Sequence, residues 1–128
     1  MRVLLAVDSD SVVGVLEALL VARGFAVVRE RSGAKALERA AEAPPDVFVV
    51  ALELAGPLDG VELCRRLRAR NDTRATPILL LASSADDDLR TLARDAGCTG
   101  FYTLPVSPSA LLKEIESARP RESRPPKP

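Results

Sequence analysis

Five short apolar runs alternate along this chain with five longer segments whose apolar residues recur at helical spacing. The runs predict strands at Arg2–Val7, Ala26–Glu30, Val47–Leu52, Ile78–Ala82 and Phe101–Thr103. The first, third and fourth runs are apolar at successive positions, so both faces of these strands must be covered. Strands that alternate with helices predict right-handed parallel crossovers and an α/β fold of three layers, with helices on both sides of one parallel sheet.

The intervening segments predict helices over Ser11–Arg23, Gly33–Ala43, Asp59–Arg70, Ser84–Ala96 and Ser107–Ala118. In the third helix the apolar positions, predicted to face inward, are Val61, Leu63, Cys64 and Leu67. The arginines of the same helix are predicted to lie largely outward, at Arg65, Arg66, Arg68 and Arg70. From residue 119 the composition is rich in proline and arginine without periodicity, which predicts one domain over 1–118 and a disordered tail or linker over 119–128.

Composition excludes several classes of function. The chain has no histidine, which excludes Ser-His-Asp catalysis, histidine metal sites and histidine phosphotransfer on this chain. Eighteen basic and eighteen acidic residues cancel, which argues against bulk attraction to nucleic acid or membranes. No apolar run approaches the roughly 20 residues that span a bilayer, and the N-terminal residues do not match a signal peptide. These two observations predict a cytoplasmic protein. Cys64 and Cys98 have no metal-ligand spacing and form no disulfide framework, so two reduced thiols packed as small hydrophobes are expected.

In an open parallel sheet the ligand site lies beyond the carboxyl ends of the strands. The segments that follow the runs there are Asp8-Ser9-Asp10, Ala51-Leu52-Glu53, Ala82-Ser83-Ser84 and Thr103-Leu104-Pro105. No glycine-rich phosphate loop follows any of the strands, so a dinucleotide site or a P-loop has no support. Without a catalytic dyad, the chain is not predicted to be an enzyme.

This arrangement resembles the response-regulator receiver family, the phospho-acceptor domains of two-component signalling. The resemblance covers about residues 1–118 and is carried by five phrases in order: VLLAVDSD, GFAVVRERSGAKAL, PPDVFVVALELAGPLDG, TPILLLASSADD and AGCTGFYTLPVSPSALL. It implies a flavodoxin-like (βα)5 sandwich with a five-stranded parallel sheet in the order 2-1-3-4-5. In that family two acidic residues bind Mg²⁺, an aspartate accepts the phosphoryl group, and a hydroxyl and a lysine contact its oxygens.

Matched position by position, the resemblance places Ala51 at the phospho-acceptor position, Ala82 at the hydroxyl position and Leu104 at the lysine position. Asp8 matches the first acidic position, whereas Ser9 stands at the second. Pro105 is retained, and the resemblance implies a cis peptide bond before it. A lysine without its aspartate would be a costly buried cation, so losing both together is coherent. The resemblance therefore indicates a degenerate receiver, or pseudo-receiver.

Three carboxylates remain near the predicted site and are candidates for weak Mg²⁺ binding: Asp8, Asp10 and Glu53. Asp10 or Ser11 could instead be the N-cap of the first helix. Glu53 is interpreted as an alternative acceptor, as a residue that lines the site, or as a solvent-exposed side chain. Ser83 is a doubtful substitute for the hydroxyl, because neighbours on a strand face opposite ways. No other cofactor is expected.

The resemblance implies that the working surface is the fourth helix, fifth strand and fifth helix, where relatives dimerise or meet partners. The candidate residues of this surface are Asp86, Asp87, Asp88, Arg90, Arg94, Phe101, Tyr102 and Lys113. Phe101 stands where many members carry a switching aromatic residue, although an ordinary packed aromatic on an edge strand is the favoured interpretation. The charged residues could also be a solvated helix face.

Three hypotheses follow. The first is a phosphorylation-independent receiver that acts by protein–protein interaction in bacterial signalling, with other signalling proteins, a fused output domain or a second copy as partner. The second is a receiver phosphorylated at an unorthodox residue such as Glu53, Asp59 or Ser83. The third is a flavodoxin-like domain that binds a small molecule, for which three Phe, one Tyr and no Trp offer little stacking surface.

Overall fold

A computed structural model describes residues 2–8, 13–84, 86–104 and 106–118. The strands are β1 (Arg2–Ala6), β2 (Ala26–Glu30), β3 (Val47–Ala51), β4 (Ile78–Ala82) and β5 (Gly100–Thr103). The helices are α1 (Val13–Ala22), α2 (Gly33–Glu42), α3 (Gly60–Arg68), α4 (Asp87–Ala96) and α5 (Pro108–Ser117). Every predicted element is present, with bounds that differ from the predicted ones by at most three residues. The predicted tail over 119–128 lies outside the described residues.

All four strand pairs are parallel, and the sheet order is β2-β1-β3-β4-β5. This confirms the predicted flavodoxin-like α/β fold. The strands with continuous apolar runs, β1, β3 and β4, are the three inner strands and are almost wholly buried. The more mixed β2 and β5 are the edges, where every residue keeps some exposure. The continuous runs therefore mark strands that are covered on both faces.

Successive side chains of each inner strand pack alternately into two separate hydrophobic cores. Leu4, Phe48 and Leu80 face a core that α2, α3 and α4 cover. Leu5 and Val49 face a second core that α1 and α5 cover. Phe48 is the largest fully buried side chain, and aliphatic residues fill nearly all the remaining space. This packing fixes the register of each strand, because a shift of one residue would exchange the two cores.

Capping residues explain where several helices begin and end. Ser32, Asp59 and Ser107 cap α2, α3 and α5 by accepting a bond from a backbone N–H of the first turn. The expectation that Ser84 opens α4 is wrong, because Asp86 is the cap and accepts from the Asp88 amide at 2.8 Å. Gly97 ends α4 in the left-handed region, at φ 100°.

None of the helices in these described ranges combines the length and the apolar character that crossing a lipid bilayer requires.

Candidate functional site

A cavity of about 260 Å³ opens at the carboxyl edge of the sheet. It lies where β3 and β4 end and where the segments after β1 and β5 leave the sheet, as expected for an open parallel sheet. Its walls come from four strand ends and the start of α1: Val7, Asp8, Val13, Ala51, Leu52, Glu53, Leu81, Ala82, Ser83 and Leu104. Six of the residues singled out in the sequence thus line one cavity.

The floor of this cavity is apolar. Ala51 is the last residue of β3 and is half-buried, and Ala82 ends β4 with only 2% of its surface exposed. Leu104, also half-buried, packs with Ala51 against the core under α1 and α5. The residues that line the cavity include two carboxylates and one hydroxyl but no lysine or arginine. An anionic group placed at Ala51 would find no counter-charge among them.

The two carboxylates of the cavity, Asp8 and Glu53, are both exposed. The other two predicted neighbours, Ser9 and Asp10, lie outside the described residues. Nowhere in the described ranges do three or more Asp, Glu, Cys or His side chains come together as metal ligands. Mg²⁺ usually keeps several of its waters and is bound through one or two carboxylates. Asp8 and Glu53 are therefore compatible with the weak Mg²⁺ binding that the sequence predicts.

Ser83 and Asp59 differ as candidate phosphoryl acceptors. β4 ends at Ala82, so the alternation of strand side chains no longer applies at Ser83, which is exposed and lines the cavity beside Ala82. Asp59 instead caps α3, where its Oδ1 accepts from the Glu62 amide at 2.8 Å. The Pro105 prediction, including the cis bond before it, lies outside the described residues.

The two aromatic residues of β5 face opposite sides of the sheet. Phe101 packs against the core under α2, α3 and α4, and the Arg90 guanidinium lies 4.9 Å from the centre of its ring. Tyr102 packs towards α5, and its hydroxyl donates to Glu114 Oε1 at 3.1 Å. Burial and the neighbouring Glu114 carboxylate raise the pKa of Tyr102 to about 12. Phe101 is thus a half-buried packed aromatic that also carries a cation on its face.

The residues predicted to form a partner surface share one side of the domain. β5 is an edge strand, with α4 against one of its faces and α5 against the other. All the charged candidates on the two helices are exposed: Asp86, Asp87, Asp88, Arg90, Arg94 and Lys113. Leu92 adds an apolar side chain to α4 that is 47% exposed. The surface therefore combines exposed acidic and basic side chains with two half-exposed aromatic residues.

A second polar centre, which the sequence did not predict, lies at the opposite edge of the sheet. The expectation that Arg68 points outward is wrong: it is half-buried at the end of α3. Its guanidinium donates to five oxygens: Gly97 O (2.9 Å), Thr73 O (3.2 Å), Arg74 O (3.0 Å), Thr76 O (2.6 Å) and Thr99 Oγ1 (3.3 Å). The sequence carries no signal for this centre, because the burial of Thr73 and Thr76, whose carbonyl oxygens need donors, is visible only in the fold.

Cys64 and Cys98 also differ from expectation. Both are free thiols, and Cys64 is buried in the core as predicted. They are not separate, however, because the two sulfur atoms lie 3.2 Å apart. The 34-residue separation along the chain hid this contact, since a spacing of that length matches no common motif.

Comparison with known proteins agrees with this geometry. The family model described as the response regulator receiver domain matches residues 3–116. The chain is 30% identical over 126 residues to the alkaline phosphatase synthesis transcriptional regulatory protein PhoP of Bacillus subtilis, covering 93% of this chain and 51% of that protein. Among solved structures it resembles the chemotaxis protein CheY4 of Vibrio cholerae, with TM-score 0.84 and 26% identity over 91% of this chain and 97% of that one.

A third similar protein was solved with a metal. The receiver domain of a sensor histidine kinase from Pseudomonas aeruginosa, with a magnesium ion coordinated in its active-site cleft, has TM-score 0.81 and 26% identity, covering 91% of this chain and 95% of that one. The chain spans about half the length of the Bacillus subtilis regulator. The likeness therefore concerns one domain of that longer protein.

Proposed function

The chain belongs to the response regulator receiver domain family of two-component signalling, and from this premise we propose that it signals without accepting a phosphoryl group, by binding other proteins. The observation that carries the proposal is the cavity at the carboxyl edge. Ala51, Ala82 and Leu104 stand at the positions that resemble those of the acceptor, hydroxyl and lysine, and all three side chains are apolar. Receiver domains are typically signalling modules rather than enzymes, and this chemistry supports no further catalytic role.

The three groups that the cavity lacks, the acceptor carboxylate, the hydroxyl and the lysine, act on the same phosphoryl group. Phosphoryl transfer needs a nucleophile and positive charge on the equatorial oxygens. The cavity supplies neither at Ala51, since its two carboxylates would repel a phosphoryl group and the lining residues include no cation. The second hypothesis, an unorthodox acceptor, is weakened at Asp59, which caps α3, and retains Glu53 and Ser83 as exposed candidates.

The surface formed by α4, β5 and α5 is our candidate for partner binding. The exposed Arg90 lies over the half-buried Phe101 ring as a cation–aromatic pair, and Tyr102 and Glu114 join β5 to α5 by a hydrogen bond. Arg94, Asp87 and Lys113 add charge of both signs around these residues. Mixed charge with aromatic and arginine anchors is typical of protein interfaces rather than of nucleic-acid sites. The partner is another signalling protein, a further domain of a longer chain, or a second copy through the same surface.

The test is treatment of the purified chain with Mg²⁺ and acetyl phosphate, followed by intact mass spectrometry. We expect no gain of a phosphoryl group, while a phosphorylatable receiver domain treated in parallel gains one. Amide NMR spectra with Mg²⁺ and beryllofluoride are expected to show no saturable shift at Asp8, Ala51 or Ala82.

A phosphoryl gain would contradict the proposal and favour the unorthodox acceptor, and its loss in Glu53→Gln or Ser83→Ala would identify that residue. Saturable shifts around the cavity without a mass change would contradict the apolar-floor argument and indicate ligand binding there.

A further inference from the structure

The two cysteines form a pair of thiols in van der Waals contact. Cys64 lies on the inner face of α3, and Cys98 lies in the turn between α4 and β5. The Cys98 thiol donates to the Cys64 sulfur at 3.2 Å, and the Cys64 thiol lies 3.4 Å from the Ala96 carbonyl oxygen. Cys64 is buried and Cys98 is partly exposed, and the contact joins two elements of the fold.

The surrounding structure holds Cys98 in this position. Gly97, immediately before it, has φ 100°, a conformation that other residues rarely adopt. Arg68, one turn after Cys64 on α3, donates to Gly97 O at 2.9 Å and to Thr99 Oγ1 at 3.3 Å. The residues on both sides of Cys98 are therefore bonded to the same helix that carries Cys64. These bonds from the Arg68 side chain hold the segment of Cys98 against α3, and so keep the two sulfurs together.

The electrostatics of the pair favour a shared proton. The bond from Cys98 lowers the pKa of Cys64, with the Arg68 and Arg65 guanidinium groups acting in the same direction against the effect of burial. The same bond and burial raise the pKa of Cys98. Removal of one proton from the pair is thus easier than removal of the second. The resulting thiol–thiolate pair has one nucleophilic sulfur and one proton donor.

A small oxidant can reach this pair. Cys98 is partly exposed and lines a surface depression of about 250 Å³ between α4 and β5. Arg90, Arg94, Thr99 and Phe101 line the same depression. Cys64, by contrast, has no exposed surface. Any reagent from solvent therefore meets Cys98 first.

We propose that Cys64 and Cys98 are a modification site, at which hydrogen peroxide forms a reversible intramolecular disulfide. The inference goes beyond the proposed function and does not depend on it. A disulfide requires the sulfurs to approach to about 2.05 Å, so the gap of 3.2 Å must close by a little over 1 Å. Rotation of the two side chains supplies a displacement of that size without separating the elements that carry them.

Oxidation by one molecule of hydrogen peroxide takes two steps. The pair first releases one proton to solvent, and its second proton is shared between the two sulfurs along their hydrogen bond. When that proton lies on Cys64, the exposed Cys98 sulfur is the thiolate and attacks one oxygen of hydrogen peroxide. The O–O bond breaks, the leaving hydroxide takes a proton and becomes water, and Cys98 becomes a sulfenic acid. The Cys64 sulfur then attacks the Cys98 sulfur, so that the S–S bond forms, the S–O bond breaks and a second water leaves. Two thiols are oxidised by two electrons, and one peroxide is reduced to two waters.

The disulfide would join α3 directly to the turn that precedes β5. Cys98 is three residues before Phe101, whose ring carries Arg90. Oxidation would therefore constrain the base of the surface formed by α4 and β5, next to the residues proposed to meet a partner.

The test is oxidation of the fully reduced, folded chain with a small excess of hydrogen peroxide, followed by alkylation of remaining thiols and non-reducing mass spectrometry. We expect a monomer that has lost two hydrogen atoms, takes up no alkylating reagent, and yields one cross-linked pair of tryptic peptides that contain Cys64 and Cys98. Dithiothreitol should restore both thiols. Cys98→Ser, which retains the size and exposure of the side chain, should keep its circular dichroism spectrum and form no such cross-link.

Three outcomes would overturn the inference. The first is two unmodified thiols at a peroxide concentration that oxidises free cysteine. The second is oxidation that stops at sulfinic acid on Cys98 or gives only disulfide-linked dimers. The third is a cross-link that forms only when urea has unfolded the chain. All three are read on the unmodified sequence, so none depends on the folding of a variant.

Discussion

At the amino edge of the sheet one guanidinium, that of Arg68, donates to five oxygen atoms, whereas alanine and leucine side chains form the floor of the cavity at the carboxyl edge. The first region joins α3, the turn before β4 and the turn before β5. The second has two exposed carboxylates and no cation among its lining residues. The amino edge is thus held together by hydrogen bonds from one charged donor, whereas apolar packing forms the floor of the carboxyl edge.

The largest expected effect comes from breaking the amino edge. Arg68→Ala removes the donor to the carbonyl oxygens of Arg74, Gly97 and the buried Thr76. The Thr73 carbonyl oxygen keeps its bond from the Thr76 amide at 3.1 Å. We expect a loss of about 3 kcal/mol in the free energy of unfolding, because bonds to a charged donor contribute more than neutral ones. Urea titration followed by circular dichroism measures it.

Arg65→Ala is the matched control, since Arg65 lies on the same helix, is exposed and, within the described part of the chain, forms a surface ion pair with Glu62 at 3.4 Å. A loss of less than about 0.5 kcal/mol is expected there. Equal losses for the two variants would show that the five bonds of Arg68 do not stabilise the amino edge.

A double-mutant cycle tests the carboxyl edge. Ala51→Asp places a half-buried carboxylate near Asp8 and Glu53, and we expect it to cost about 2 kcal/mol in stability. Leu104→Lys replaces a packed apolar side chain by an ammonium group whose charged neighbours in the cavity lining are the exposed Asp8 and Glu53, and it is expected to cost a similar amount. Because both positions line one cavity, the double variant should recover about 1 kcal/mol of the summed loss.

The coupling is obtained from urea titrations of all four proteins. Additive losses would mean that the two positions do not interact, and the argument that acceptor and lysine were lost together would then fail. Leu104→Met is the control for packing, since it conserves volume without charge and is expected to change little.

The contrast between the two edges also explains which features the sequence predicted. Hydrophobic runs located all five strands. The runs are most distinct at the inner strands β1, β3 and β4, because an inner parallel strand is buried on both faces. The cavity residues were predictable for the same reason: once the strand ends are known, the topology brings Ala51, Ala82 and Leu104 together.

The amino edge was not predictable in this way. Helical periodicity placed Arg68 outward with Arg65, since it takes no account of what lies beyond the last turn of a helix. The contact between Cys64 and Cys98 depends on how α3 packs beside the α4–β5 turn. Neither local propensity nor periodicity contains that information, because both describe one element at a time.

The smallest expected effect concerns Tyr102, which lies between the two edges on β5. It is the single tyrosine of a chain without tryptophan, so the ultraviolet absorbance of the ionised ring reports this residue alone. Burial and Glu114 raise its pKa to about 12, against about 10 in an unfolded chain. We expect an absorbance midpoint near the higher value, provided that the chain remains folded. In Glu114→Gln the midpoint should fall but stay above the unfolded value, because burial is the larger cause.

The sign of the stability effect follows from the raised pKa. Below pH 10 the phenol is protonated in both states, and its contribution is fully present. Between about pH 10 and 12 the unfolded chain loses the proton first, so the free energy of unfolding falls as pH rises. The ring is partly exposed, so we expect at most about 1 kcal/mol. Urea titrations of the wild type and Tyr102→Phe at pH 9 and pH 11, values that bracket the unfolded pKa of about 10, isolate this contribution. A midpoint near 10 in the folded protein, with no difference in pH dependence between the two proteins, would show that the bond to Glu114 does not hold β5 against α5.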